Sequence, residues 1–477
     1  MEFEPVIGLE VHVQLNTATK IFCGCSTNFG AEPNSQTCPV CLGLPGVLPV
    51  LNEEALKKAI MAGIALNARV LPYSKFDRKN YFYPDLPKAY QISQFDKPIC
   101  LGGHIDVKVK DGTKRVGITR LHMEEDAGKS IHSEDPARKV SYVNFNRTGV
   151  PLAEIVSEPD IRSSEEAYGY LQNLKTTMKY LDVSDCNMEE GSLRCDVNIS
   201  LRPAGTEPFG EKVEIKNLNS FRAVKLAIEY EIDRQTEALE NGEHIIQETR
   251  LWDADRNETF SMRSKEETHD YRYFPEPDLP PVILDDDYIE NIRKSIPELP
   301  GQRYMRFVSE YSIPEYDAEV LTSVRQLADY YEEVISKGAS PKRASNWIMS
   351  ELLARVNDPE KIKEFSVGPG MLSSLLALVE DNTISGKTAK TVFDEMIASG
   401  KDPVSIVKEQ GLTQVSDTAE IESMIDAVIA SNPGSVNDYK SGKEKALKFL
   451  VGQVMKESRG KANPQMVNEI LARKLNQ

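Results

Sequence analysis

From residue 5 to residue 14 the chain reads PVIGLEVHVQ, with an apolar side chain at every second position from Ile7 to Val13. Such alternation predicts a strand with Ile7, Leu9, Val11 and Val13 on one face and Glu10, His12 and Gln14 on the other. SLRCDVNISLR, residues 192–202, repeats the design: Leu193, Cys195, Val197, Ile199 and Leu201 oppose Arg194, Asp196, Asn198 and Ser200. KVEIKN sets Val213 and Ile215 against Glu214 and Lys216. Strands with one polar face belong to antiparallel sheets, because parallel strands covered on both sides read apolar throughout. One amphipathic helix, EEALKKAIMAGIALN from Glu53, interrupts this texture early.

Beyond the proline-rich YFPEPDLPPVIL, residues 273–284, the period changes to that of helices. EYDAEVLTSVRQLADYYEEVIS and SPKRASNWIMSELLARV carry it, the second with Ser340 as N-cap and Pro341 in the first turn. Asn463-Pro464 opens the last helix. The expected organisation is α+β: a sheet domain over 1–293, an all-α domain over 294–401 and a small α-helical tail over 402–477. A chain of 477 residues is too long for one core, which agrees with that division.

No apolar run reaches the length of a membrane span, and the acidic MEFEPVIGLE start has neither the build of an export signal nor that of a transit peptide. A cytoplasmic protein is expected. Net charge is −17, yet the segment from Lys440 to Gln477 has nine Lys+Arg against three acids. Its local +6 leaves −23 for the remainder, so contact with nucleic acid falls to the tail or to local patches.

FCGCSTNFGAEPNSQTCPVC places Cys23, Cys25, Cys38 and Cys41 as two close pairs on turn-prone sequence. That spacing lets four thiolates converge on zinc, and four protein ligands make the metal structural. A redox pair would want a helix start in a βαβ unit, which is absent here. Cys100, Cys186 and Cys195 show no such spacing and read as core.

LHMEED, residues 121–126, puts three carboxylates together at the end of an apolar run. Alternation adds Glu10 beside His12, and other strands bring Asp196 and Glu214, with Glu189 and Glu190 just ahead of one of them. Carboxylates sharing a basin need cations between them, and magnesium with a nucleotide suits such a place. Groups available for phosphate are Lys75, Arg78, Lys79, Lys88, Arg120, Lys129, Arg194 and Lys216. Solvated acidic strands and ordinary surface ion pairs are the plain alternatives. A P-loop is excluded: five residues before Gly128 stands Met123, and before Gly386 stands Asp381. Six histidines and no G-x-S-x-G leave no hydrolase triad.

VIGLEVHVQL, KFDRKNYFYPDLPKAYQISQF, LHMEEDAG, EIVSEPDIRS, MEEGSLRCDVNIS, KNLNSF and DYRYFPEPDLPP, in this order, resemble the B-subunit family of the aspartyl/glutamyl-tRNA amidotransferases. The resemblance runs through the whole chain, and no room remains before the helical region for the extra domain of a related archaeal paralogue. It implies a cradle domain related to glutamine synthetase. It further implies use of ATP and magnesium to phosphorylate the side-chain carboxylate of Glu or Asp on mischarged tRNA, and amidation by ammonia from a separate amidase A subunit. A small C subunit joins the two. Expected magnesium ligands are Glu10, His12 and Glu125 first, then Glu124, Glu190, Asp196 and Glu214. Lys79, Arg194 and Lys216 join Glu10, His12 and Glu125 as expected catalytic groups, and Lys75, Arg78, Lys88, Arg120 and Lys129 are expected nucleotide contacts. Lys440, Lys443, Lys445, Lys448, Lys456, Arg459 and Lys461 are expected to meet tRNA phosphates. The alternative is a non-catalytic tRNA-binding scaffold with a zinc knuckle.

Overall fold

Ile7, Leu9, Val11 and Val13 are all buried, so the alternating segment takes its expected place as a strand, Phe3–Gln14, in the middle of a sheet. The computed structural model describes residues 2–110, 112–133, 140–262, 271–414, 418–443, 445–458 and 462–476. Among these, ten strands form the main sheet. From one edge its order is Glu258–Ser261, Glu248–Asp253, Val213–Lys216, Leu193–Pro203, Phe3–Gln14, Pro151–Ser157, Gly112–Glu125, Cys100–Leu101 and Arg69–Val70. His104–Val109 forms a hairpin with the start of Gly112–Glu125.

The pairings are antiparallel with one exception: Val213–Lys216 and Glu248–Asp253 run parallel. A parallel pair needs a crossover connection, and the helix Phe221–Glu240 lies between these two strands in the chain. The alternation pattern marks a single helix in this half. Besides Glu53–Ala65 there are Ser164–Tyr180 and Phe221–Glu240 against the sheet, and a short helix, Asp286–Ser295, where this half ends. Ser164–Tyr180 and Phe221–Glu240 each have the apolar spacing of a helix, as Ala167, Tyr170, Leu171, Leu174 and Met178 show. Asn52, Ser163 and Ser220 cap the N-termini of the three longer helices by accepting from backbone N–H groups two or three residues on.

Apolar residues of these helices and of the inward sheet face form one core, including Leu9, Val11, Leu121, Met123, Leu171, Leu174, Val224 and Ile228. Burying each such side chain contributes about 1.5–3 kcal/mol. The helices leave the other face of the central strands to polar residues, and the candidate functional site is there. A three-stranded sheet of Asp77–Asn80, Tyr90–Ser93 and Phe274–Pro275 borders it. Gln91 donates to the Glu125 carbonyl at 2.7 Å, and Gln94 accepts from the Met123 N–H at 3.0 Å.

The chain divides into two compact units, Met1–Leu299 and Pro300–Gln477. The described residues of the second are helical and hold two hydrophobic clusters. Phe307, Tyr331, Leu352, Leu376 and Phe393 belong to the first of these, Ile421, Leu450, Val454 and Leu471 to the second. Pro403–Gln410, which the sequence groups with the tail, buries Ile406 and Val407 in the first cluster. The long helical pattern from Glu315 is two helices, Glu315–Thr322 and Arg325–Ser336. Pro341–Trp347 follows Ser340 and runs into a π-helical turn, Ile348–Leu352, and Asn463 caps Pro464–Leu475.

Candidate functional site

Four neighbouring strands place one polar residue each in a single cross-strand row. Arg194 pairs with His12, His12 with Glu154, and Glu154 with His122. Glu124, two residues along from His122 and so on the same face, joins the row from the side. His12 Nε2 lies 3.4 Å from Glu154 Oε2 and 3.5 Å from Glu124 Oε1. His122 Nε2 lies 3.1 Å from Glu154 Oε2 and 3.8 Å from Glu124 Oε2. Two imidazoles and two carboxylates thus alternate around a small square in the middle of the sheet.

Burial alone would push both imidazoles toward the neutral form. The charges of Glu154 and Glu124 outweigh it, raising His12 above the ordinary range and His122 to about 9. Burial would raise the two glutamates, and the histidines reverse that too, holding Glu124 below and Glu154 well below the usual carboxylate value. The set fits a divalent cation: one donor atom each from His12, Glu124 and Glu154 lies within 4.8 Å of the others. Buried carboxylates in this arrangement need positive charge between them, and a metal can replace the protons on the imidazoles. His122 Nδ1 is buried without a hydrogen-bond partner.

Cations and further acids surround the square. Arg194 donates to Asp126 Oδ1 at 2.9 Å, and Gln14 donates to Asp126 Oδ2 at 2.8 Å. Lys216 bridges Asp196 at 2.9 Å and Glu214 at 3.0 Å. Lys79 sits under the fields of Glu124 and Glu154, with its ammonium 4.9 Å from the Tyr271 ring centre and 5.9 Å from that of Tyr81. Arg120 follows on the same face, its Nε buried without a hydrogen-bond partner. Glu10 lies one pair further along its strand, opposite Asp196, and accepts from Asn198 at 2.8 Å.

Several expected groups are elsewhere. Glu125 is not with His12: consecutive strand residues leave on opposite sides, and its carboxylate takes the Ile92 N–H at 2.9 Å and the ammonium of Lys88. Lys88 is thereby committed to a buried internal pair. Arg78 is bound by Glu276 at 2.7 Å and Asp278 at 3.3 Å, and Lys75 by Asp77 and Asp96, both at 2.9 Å. These three cations therefore already serve carboxylates of the chain itself. Lys129 is exposed on the two-stranded ribbon Lys129–His132 with Ser141–Asn144, and Glu190 is exposed in a turn. Glu154 and His122 are not among the expected ligands. A signal for Glu154 does exist: it is a lone acid inside the apolar run VPLAEIV, where its strand buries nearly everything.

The four cysteines meet as a separate cluster, one sulfur atom of each within 4.8 Å of the others. Cys38 and Cys41 Sγ are 4.0 Å apart, and the Cys38 N–H points at Cys41 Sγ from 3.2 Å. Tetrahedral zinc–thiolate bonds of ~2.3 Å set sulfurs about 3.8 Å apart, so the donors fit. Lys20, fully buried, puts its ammonium 3.6 Å from Cys41 Sγ and donates to the carbonyls of Gln36 at 2.7 Å and Phe145 at 3.4 Å. A hydrogen bond from Cys23, with the Lys20 charge adding to it, pulls the Cys41 thiol down to about 4.

In the tail, Lys440, Lys443, Lys445, Lys448 and Lys456 are exposed, Lys443 pairing with Asp438 at 2.8 Å. Arg459 and Lys461 lie outside the described residues. No helix among the described residues is long and apolar enough to cross a membrane.

Fold and site together define an α+β protein whose sheet face gathers a set of acids and imidazoles that could hold a cation, beside a four-thiol knuckle. Comparison with known proteins narrows the class. Residues 5–290 match the family described as the GatB/GatE catalytic domain, and residues 329–475 the one described as the GatB domain. The chain is 60% identical over 476 residues to the aspartyl/glutamyl-tRNA(Asn/Gln) amidotransferase B subunit of Carboxydothermus hydrogenoformans, covering 99% of both proteins. Identity to the corresponding B subunits of Caldicellulosiruptor saccharolyticus and Geotalea uraniireducens is 58%, over 100% of this chain and 99% and 100% of theirs. The chain belongs to the family of aspartyl/glutamyl-tRNA(Asn/Gln) amidotransferase B subunits.

Proposed function

We propose that this chain is the transamidating subunit of a tRNA-dependent amidotransferase. It uses ATP to phosphorylate the side-chain carboxylate of Glu or Asp carried by tRNA(Gln) or tRNA(Asn), and ammonia then displaces phosphate to leave the amide. A bare carboxylate is a poor electrophile and its acyl phosphate a good one, which is the chemical reason for spending ATP. The observation that carries the reading is the row Arg194, His12, Glu154, His122 with Glu124 beside it. A scaffold that only held tRNA would have no use for two buried acids and two imidazoles in one square.

His12, Glu124 and Glu154 are the residues that would hold magnesium, whose contribution is to offset charge between nucleotide phosphates and the incoming carboxylate. Arg194 and Lys79 supply fixed positive charge at the rim, where a transferring phosphoryl group gains most from it. Arg120, uncommitted at Nε, is a third group for phosphate. Lys216, Asp196, Glu214 and Glu10 form the polar floor on the far side of the row. Having no P-loop is consistent with a nucleotide held on a sheet face, as in the glutamine synthetase fold to which we relate the cradle. Having no hydrolase triad is consistent with ammonia made by an amidase A subunit, with a small C subunit completing a cytoplasmic heterotrimer.

The cysteine knuckle takes a structural zinc. Residues 1–293 serve as the cradle; a helical domain follows, whose core takes in Ile406 and Val407 of Pro403–Gln410 beyond the expected limit at 401, and then a tail whose lysines orient tRNA. The deciding experiment is tRNA-dependent ATP turnover by the assembled complex with His12→Ala or Glu154→Gln. Loss of turnover with tRNA binding retained is expected, and undiminished turnover returns the chain to the scaffold reading. Ribonuclease should abolish activity, whereas a ligase acting on free amino acid would be indifferent to it.

A further inference from the structure

Asp126 belongs neither to the square of imidazoles and glutamates nor to the Lys88 pair, yet it is buried. Its carboxylate is gripped from several directions. Arg194 reaches Oδ1 at 2.9 Å, Gln14 donates to Oδ2 at 2.8 Å, and the Ala127 N–H donates to Oδ1 at 2.9 Å. Arg147 Nε stands 3.7 Å from Oδ2, and the same guanidinium donates to the carbonyls of Ala127 at 2.9 Å and Gly128 at 2.6 Å. The backbone is tied as well: the Asp126 N–H donates to the Val150 carbonyl at 2.9 Å, and the Asp126 carbonyl accepts from the Gly149 N–H at 2.8 Å. Arg147 is itself held through its neighbour Asn146, which accepts from the Gln36 N–H of the cysteine knuckle at 2.9 Å and donates to the Glu32 carbonyl at 2.7 Å. Asp126 therefore cannot turn without breaking several hydrogen bonds.

A buried carboxylate costs desolvation that an apolar residue of the same size would not. What it provides here is direction. Arg194 heads the cross-strand row opposite His12, and the charge that acts on it most strongly is that of Asp126, followed by those of Glu124 and Asp196. Released from Asp126, so long a side chain would fold onto one of these two acids, and on Glu124 it would neutralise a carboxylate meant for a metal. Held through Nη2, the guanidinium keeps its buried Nε–H, which has no hydrogen-bond partner among the described residues, for an oxygen of a bound group.

We propose that Asp126 is a positioning residue of the phosphorylation step: gripped by Gln14 and Arg147, it holds Arg194 off Glu124 and Asp196 and keeps it for the phosphoryl group in transfer. This rests on the amidotransferase reading above and deepens it. In that step an oxygen of the substrate's side-chain carboxylate bonds to the γ-phosphorus of ATP as the bond to the bridging oxygen breaks, and ADP leaves with the electron pair. The oxygens of the moving group carry the negative charge, so a guanidinium already fixed beside them lowers the barrier without first having to reorient. Asp126 itself touches neither nucleotide nor metal, because its oxygens already serve residues of the chain.

The test uses the assembled heterotrimer with glutamine and aminoacyl-tRNA, measuring kcat for amide formation and KM for ATP separately. Asp126→Asn keeps the size of the side chain and removes its charge; kcat is expected to fall on the order of 100-fold, with KM for ATP within about threefold of wild type. Arg194→Ala should cause a loss of similar size. Asp126→Asn added to Arg194→Ala should lower kcat by no more than about twofold further, since no guanidinium then remains to be held. Where Asp126→Asn does not assemble, Gln14→Leu takes its place in the same comparison, with an expected loss of about tenfold on its own. Unchanged kcat in the single variant, an Arg194→Ala complex as active as wild type, or an effect confined to KM for ATP would overturn the proposal. Losses that multiply in the double variant would overturn it too, because a merely structural role predicts them. Failure of the underlying reading is separately visible, as a wild-type complex that forms no amide.

Discussion

Glu124 and Glu125 are consecutive in the chain and serve different sites: Glu124 lies 3.5 Å from His12, and Glu125 is held by Lys88 and the Ile92 N–H. The pleat of one strand separates a group for chemistry from a group for architecture. It also explains how LHMEED tolerates three acids in succession. Each has its own counter-charge: His12 and His122 for Glu124, Lys88 for Glu125, Arg194 and Arg147 for Asp126.

The two glutamates should therefore respond differently to the same change. Glu124→Gln is expected to lower tRNA-dependent ATP turnover by on the order of 100-fold. Glu125→Gln leaves Lys88 buried without its counter-ion and is expected to cost about 3 kcal/mol in urea unfolding. Equal loss of turnover in both variants would contradict the assignment.

Glu124 and Glu154 act on the same two imidazoles, so their effects should not add. Combining Glu124→Gln with Glu154→Gln is expected to reduce turnover little further than either substitution alone, as groups working as a unit do. Multiplicative losses would show that the two acids act independently.

Removing the cysteine metal should be a structural event. Cys38→Ser is expected to abolish bound zinc by elemental analysis and to open the segment around residues 23–41 to protease. Lys20→Met removes the buried positive charge beside Cys41 and should speed zinc release to a chelator about tenfold, within the range for groups that support metal ligands from behind. Retention equal to wild type would mean that Lys20 only links Gln36 to Phe145.

Far from the site, Glu231 is fully buried and bound by Arg234 at 2.8 Å and Arg250 at 3.1 Å. Burial would raise its pKa, but hydrogen bonds from Arg234, Thr259 and Gln235 bring it below the ordinary 4.5. A depressed folded-state value means stability that is present above the unfolded pKa and is lost as pH falls through the folded one. Glu231→Gln should thus cost about 3 kcal/mol at pH 7, with the gap to wild type closing as pH drops below 4.5. A gap independent of pH would assign the cost to packing.

Lys445, Lys448 and Lys456 lie on the helix Lys445–Glu457, spaced so that 3.6 residues per turn puts them on one stripe. Changing all three to Ala should reduce the slope of log affinity for tRNA against log salt by about two to three. Loss of affinity without a change of slope would mean that they do not meet phosphates.

Reading one strand at a time yields the inward face of Phe3–Gln14 and Leu193–Pro203 residue by residue, because an alternating pattern is a local property. The helices Ser164–Tyr180 and Phe221–Glu240 are equally periodic but polar enough for their sequences to pass as parts of a strand-rich half. Of the expected metal ligands, His12 and Glu124 meet; Glu154 escapes notice because a single acid in an apolar strand announces no partner.

Period, caps and spacing are written along the chain, so the amino-acid sequence alone determined which faces are apolar, where helices begin at Ser340 and Asn463, and that four thiols pair off as two knuckles. Which charges meet was decided only by the fold. Register between strands more than a hundred residues apart set Glu154 against His12, and a contact across 198 residues gave Arg78 to Glu276 instead of to a phosphate. Ion pairing depends on distance in space, and no local pattern records which distant segment will close that distance.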